Sequence, residues 1–224
     1  GSSDSTFHKN RIQALFTRLG WKVKVIEEAH AVVLAERPTI VEEDGTVVPY
    51  SGIGVSFGAG RVNCLLAYKG LPVIGMSVAR SGDWIDKQVS DQTGVAISQV
   101  INAKEKKLDF NNLDDNDDVI FALNAYYDAM IEYVFRHFGK KFQEVKSQFG
   151  QPLDIIVAGG TSMPKGFCQK LEKIVRGLDL PFQIKEVRHA KSPRNAVAEG
   201  LLTQAIITQK KEPQSQVSLD KILT

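Results

Sequence analysis

Val55-Ser56-Phe57-Gly58-Ala59-Gly60-Arg61-Val62-Asn63-Cys64-Leu65-Leu66-Ala67-Tyr68, VSFGAGRVNCLLAY, decides the fold, because it joins two β-like runs through a glycine-rich turn. Ile53 to Phe57 forms the first run, Arg61 to Tyr68 the second, and Leu71 to Val78 a third beyond the turn Lys69-Gly70. Apolar and β-branched runs separated by such short turns predict an antiparallel meander. Gly58, Ala59 and Gly60 have a second meaning. Glycine reaches turn conformations and leaves its N–H uncovered, so a phosphate can approach the backbone there. A tight hairpin accounts for the same residues, and the stretch alone leaves both readings open.

Downstream the pattern changes period. Ser81-Gly82-Asp83 opens a helix to about Thr93 with Ser81 as its N-cap, and a second helix runs from about Val95 to Lys107. The acidic run Asn111 to Asp118 lacks the glycine and terminal Glu of a calcium loop and reads as a solvated helix start. Val119, Leu123, Tyr126 or Tyr127, Met130, Val134 and Phe138 continue it at helical spacing. Leu153 to Ala158 is a short apolar strand running into Gly159-Gly160-Thr161-Ser162-Met163-Pro164-Lys165-Gly166. A helix to Arg176, a strand from Phe182 to Val187 and a helix from Pro193 to about Thr208 follow. A meander followed by strand-helix alternation predicts an α/β fold with one mixed sheet, three antiparallel strands and then parallel ones, flanked by helices.

Upstream, Ile12, Leu15, Phe16 and Leu19 recur at helical spacing between Thr6 and Leu19, with Gly20 as the stop. Trp21 to Val25 alternates apolar and polar residues and predicts a strand; Glu27 to Glu36 predicts a short helix closed by Pro38. Thr39 to Tyr50, with its Asp44-Gly45 turn, reads as a loop or hairpin. Gly1-Ser2-Ser3 resembles a tag scar, and the residues from 209 to 224 read as a flexible tail in which Val217 to Leu223 is a small docking segment.

Composition narrows the function classes. A formal charge of +2 from 28 basic and 26 acidic residues, well mixed, gives no sign of a nucleic-acid surface and implies no polyanion partner. No apolar run reaches the roughly 20 residues of a membrane-spanning helix. Cys64 and Cys168 each sit in an apolar stretch far from other metal ligands, which reads as buried reduced thiols and accords with the cytoplasm. His8, His30, His137 and His189 are scattered, which reads as surface or satisfied histidines rather than catalytic ones.

These motifs, in this order, resemble the second half of an actin-like ATPase, the superfamily of actin, bacterial MreB, heat-shock chaperone ATPases and sugar kinases. Ile53 to Asn63 resembles its second phosphate hairpin, and DIIVAGGTSMPKGF, Asp154 to Phe167, its adenosine motif. Glu27 to Glu36 and Ser192 to Gln204 are similar to its two connecting helices. Gly82 to Asp86 is similar to the segment opening the outer lobe, and Ala103 to Lys106 to the helix whose Lys and Glu face the nucleoside. The resemblance implies a ribonuclease H-like nucleotide-binding lobe over 21–208, a helical outer subdomain reduced to 81–117, and a connecting helix in 1–20 from a missing N-terminal lobe. It further implies that ATP or ADP is the ligand, with phosphate on Gly58, Ala59, Gly60 and Arg61 and adenosine on Lys104, Glu105, Gly159, Gly160, Thr161 and Lys165. Cytoplasmic, prokaryotic filament assembly is the implied function, with self-association or protein partners and no turnover by this fragment alone.

Two departures bear on chemistry. The family has Asp where this chain has Ser56, and a small neutral residue where it has Arg61. The Asp orients magnesium through water, so magnesium binding is in doubt and no metal ligand is assigned. Either Arg61 takes over phosphate neutralisation, or it faces solvent and the chain is a pseudo-ATPase scaffold of the same fold. A chaperone or sugar-kinase relative is a further alternative.

Overall fold

The computed structural model describes residues 2–36, 39–41, 44–114, 116–144 and 151–211. Its centre is the meander: β3 (Gly52–Phe57), β4 (Val62–Tyr68) and β5 (Leu71–Val78), each antiparallel to the next. The chain returns through β6 (Leu153–Ala158), which pairs parallel to β3, and β7 (Ile184–His189), parallel to β6, giving the order β5-β4-β3-β6-β7. All six residues of β3 are buried, as a central strand covered on both faces requires. The predicted mixed sheet and its strand directions are therefore present. A separate hairpin pairs β1 (Thr39–Val41) with β2 (Val47–Pro49).

Alternation along β3 and its neighbours divides the interior in two. Ile53, Val55 and Phe57 face α5 (Asp118–Glu144) and α6 (Phe167–Arg176), where Tyr127, Met130, Val134, Phe138, Phe167 and Leu171 complete the larger core. Phe167 stacks edge-on against Phe57 at 5.0 Å and Tyr127 at 6.0 Å, geometries favoured by the ring quadrupoles. On the other face Leu65, Ala67, Ile156 and Ala158 pack against Ala29, Val32 and Val33 of α2 (Glu28–Glu36) and Ala196 of α7 (Ala196–Lys211). The small residues matter: α2 and α7 cross so closely that a Cβ at Gly200 would lie 1.8 Å from the Ala31 carbonyl oxygen.

The outer helices are α3 (Gly82–Thr93) and α4 (Ile97–Lys106), both packed against α5. Of the two tyrosines in the α5 pattern, Tyr127 is the fully buried one. The acidic run caps that helix, as its charge predicts: the N–H groups of Val119 and Ile120 donate to Asp117 Oδ1 at 2.9 and 3.2 Å. Asp117→Ala is expected to cost about 1 kcal/mol, the usual loss for an N-cap, read as a lower midpoint in urea unfolding.

Several sequence expectations are corrected. Trp21 to Val25 is not a strand. Alternation describes one face of a strand, but a ladder needs a partner, and none pairs with this segment among the described residues. Ser81 does not cap α3: its hydroxyl donates to the Gly58 carbonyl instead. The last strand begins at Ile184 rather than Phe182, whose ring goes to the core, and α7 begins at Ala196, after a turn at residues 193–195. The first helix, α1 (Ser2–Arg18), forms as expected, yet Ile12, Leu15 and Phe16 on it are exposed. The segment from Val217 to Leu223 lies outside the described residues. Among those residues no helix is long and apolar enough to cross a membrane.

Candidate functional site

Parallel pairing of β3 with β6 sets Ser56 opposite Ala158, so the two glycine turns leave the same edge of the sheet side by side. They are bonded to each other: Thr161 Oγ1 donates to the Gly58 carbonyl at 2.8 Å, across 103 residues of sequence. Gly58 O also accepts from Gly82 N–H at 3.3 Å, and Ala59 O accepts from Asp83 N–H at 2.8 Å. The turn's carbonyls are thus directed into the protein and the start of α3. Its N–H groups are not equivalent. Gly58 N–H closes the hairpin on Arg61 O at 3.0 Å, whereas Ala59 and Gly60 are exposed and their N–H groups donate to no acceptor among the described residues.

The second turn is held from behind. Gly159 N–H donates to Pro193 O at 2.9 Å, Ser162 Oγ donates to Gly159 O at 2.7 Å, and residues Gly160–Ser162 form a single 310 turn. Tyr127, buried, donates its hydroxyl to Thr161 O at 2.9 Å, and burial pushes that phenol above its ordinary range. Gly160 is exposed with open space where a side chain would stand. What results is uncovered backbone on two turns bonded to each other, suited to an anion and a flat group beside it.

A carboxylate that the sequence did not reveal stands at this edge. Glu28, the first residue of α2, accepts from Ser56 Oγ at 3.2 Å and from Asn63 Nδ2 at 2.9 Å. Ser56, at the end of β3, is therefore in hydrogen-bond contact with a carboxylate carried by α2. Its only sequence signal is an acidic residue at the start of a connecting helix, a place where carboxylates are favoured for the helix dipole alone.

Of the remaining expected residues, Arg61, Lys104 and Lys165 have partners of their own. The Arg61 guanidinium lies along β5, donating from Nε to Ser77 Oγ at 2.6 Å and from Nη2 to Ser77 O at 3.3 Å. Lys104 is buried and donates to Asp86 Oδ2 at 2.6 Å, turned into the interface of α3 and α4, while its neighbour Glu105 is exposed. Burial raises the Asp86 carboxyl and the Lys104 ammonium opposes that rise. Lys165 is exposed, with its carbonyl accepting from Phe110 N–H at 2.9 Å.

Comparison with known proteins places this geometry. The structure of MreB5 from Spiroplasma citri bound to AMPPNP superposes with a TM-score of 0.68 at 11% identity, covering 90% of this chain and 65% of that one. The MamK double helical filament gives 0.62 at 15% identity over 81% and 59% of the two chains. EutJ from Carboxydothermus hydrogenoformans gives 0.54 at 16% identity over 80% and 54%. The chain therefore spans roughly half to two thirds of the length of these structures, and shares their actin-like fold. Among curated proteins compared by sequence, none matches. A family model described as Volactin matches residues 2–205, and on that match the chain belongs to the Volactin family.

Proposed function

We propose that this chain is the nucleotide-binding lobe of an actin-like ATPase that assembles into filaments in a prokaryotic cytoplasm. The observation that carries this reading is the bond between the two glycine turns, which sets the exposed N–H groups of Ala59 and Gly60 beside the open surface at Gly160. Phosphates bind to the first and the adenosine lies across the second, with Thr161 joining the two. The surface suits the ligand class because Gly160 leaves open space where a side chain would stand. Neighbouring structures were obtained with AMPPNP, and one is a filament; both properties belong to those proteins and are extended to this chain as part of the proposal.

Glu28 takes the part of the missing acid. Its charge, oriented by Ser56 and Asn63, holds water at the phosphate end of the pocket. Magnesium, when bound, neutralises phosphate charge. Glu28, with Ser56 beside it, would hold such an ion through water. Arg61, bonded to Ser77 in this structure, is the second candidate for neutralising phosphate charge, and Arg61→Ala measured for ATP affinity in chelator tests it. Glu28→Gln is expected to retain nucleotide affinity and to lower turnover by roughly tenfold or more, checked by phosphate release from the complete gene product. Pelleting in parallel tests assembly. Binding without turnover or sedimentation would favour the alternative, a scaffold of the same fold that Ser56 makes a weaker enzyme.

A further inference from the structure

Behind the 310 turn, and outside the pocket, a thiol meets an imidazole. Cys168 is half-buried near the start of α6, and His189 is the last residue of β7. Cys168 Sγ lies 3.3 Å from His189 Nδ1, and His189 Nε2 lies 2.8 Å from the Ser162 carbonyl oxygen. A carbonyl oxygen only accepts, so Nε2 carries the proton and Nδ1 is the unprotonated nitrogen. Cys168 S–H is therefore the donor to Nδ1. A nucleophile bonded to a base, whose ring is oriented by a third group, is the arrangement that activates serine and cysteine nucleophiles.

We propose that Cys168 and His189 form a modification site for low-molecular-weight disulfides, in which His189 acts as the general base. The Sγ proton passes to His189 Nδ1 while Sγ attacks one sulfur of the disulfide. A Cys168 Sγ–S bond forms, the disulfide S–S bond breaks, and the departing thiolate takes the proton from the imidazolium, so no external oxidant or reductant is required. Both protonation states of the ring fit the site, because the imidazolium donates to the thiolate and to Ser162 O together. The base is needed: burial first, and the Glu172 carboxylate second, push the Cys168 thiol up to about 11, so little thiolate is present at neutral pH. Cys64 provides an internal contrast, since it is fully buried with no such partner among the described residues and burial holds its thiol well above the ordinary range.

Modification removes the S–H donor from Nδ1 and crowds the ring that holds Ser162 in its turn. Weaker nucleotide binding follows, a consequence that rests on the function proposed above. The modification itself does not.

The test uses oxidised glutathione on the native protein, followed by intact and peptide mass spectrometry. One glutathione is expected on Cys168 and none on Cys64. His189→Gln retains an amide donor for Ser162 O but has no basic nitrogen, and is expected to slow the reaction by roughly tenfold or more. Equal rates in the parent and H189Q, or labelling of Cys64 as fast as Cys168, would overturn the proposal. Ring nitrogen-15 shifts of the parent give an independent reading: a protonated Nε2 with bare Nδ1 is expected, and the opposite tautomer contradicts it. Loss of nucleotide affinity is measured separately, so a failure of nucleotide binding leaves the mass result standing.

Discussion

Gly159→Ala is expected to lower stability by about 3–5 kcal/mol, a sum of backbone strain and a collision that neither side can relieve cheaply. Gly159 has φ of +99°, a conformation that side chains rarely adopt. Its added Cβ would lie 2.3 Å from the Phe57 carbonyl oxygen and 2.9 Å from the Phe57 nitrogen. These are backbone atoms of the central strand, where Phe57 pairs with Val62 of β4 and its ring lies fully buried in the core, so they have little room to move. The first response is separation of the two turns and loss of the Thr161 to Gly58 bond. Chemical denaturation of the variant reads the energy. A variant within about 1 kcal/mol of the parent would show that the turns are not held this closely.

Lys104→Met is expected to cost a comparable amount, about 3 kcal/mol, because it strands the Asp86 carboxylate in the interior. The pair is almost wholly enclosed, and Asp86 Oδ1 has no hydrogen-bond partner among the described residues, so Lys104 supplies its compensation. Asp86→Leu in the same chain is expected to restore most of the loss, since exchanging both charges for apolar groups is far less costly than removing one. The pH dependence has a definite sign. Burial holds the Asp86 carboxyl above its ordinary value, and losing Lys104 raises it further. Over the range between the parent's Asp86 value and the variant's higher one, the folded variant keeps a proton that the folded parent and the unfolded chain have both released. Its deficit relative to the parent therefore shrinks as pH falls through that range and is largest above it. A Lys104→Met chain with undiminished stability, but lower nucleotide affinity, would instead return Lys104 to the nucleoside.

That lysine shows where sequence reading stops. The meander was legible because apolar runs and the turns at Gly58–Gly60 and Lys69–Gly70 are local signals, and the order of later elements followed from the change of period. The motif at Ala103 to Lys106 identifies a helix, but not that Asp86, one helix earlier, captures its lysine. Trp21 to Val25 has the alternation of a strand without a neighbour to pair with, a fact of assembly and not of composition. Glu28 reaches Ser56 because α2 crosses the end of β3, and Cys168 meets His189 because α6 returns to β7. Each of these contacts joins segments whose spacing in the chain carries no imprint of their nearness.

Backbone amide resonances followed during titration with ATP and magnesium test the shared pocket most directly. Ala59 and Gly60 on one turn, and Gly160 and Thr161 on the other, are expected to shift together and saturate along one binding curve. Shifts confined to one turn, or two turns that saturate at different concentrations, would contradict a single site.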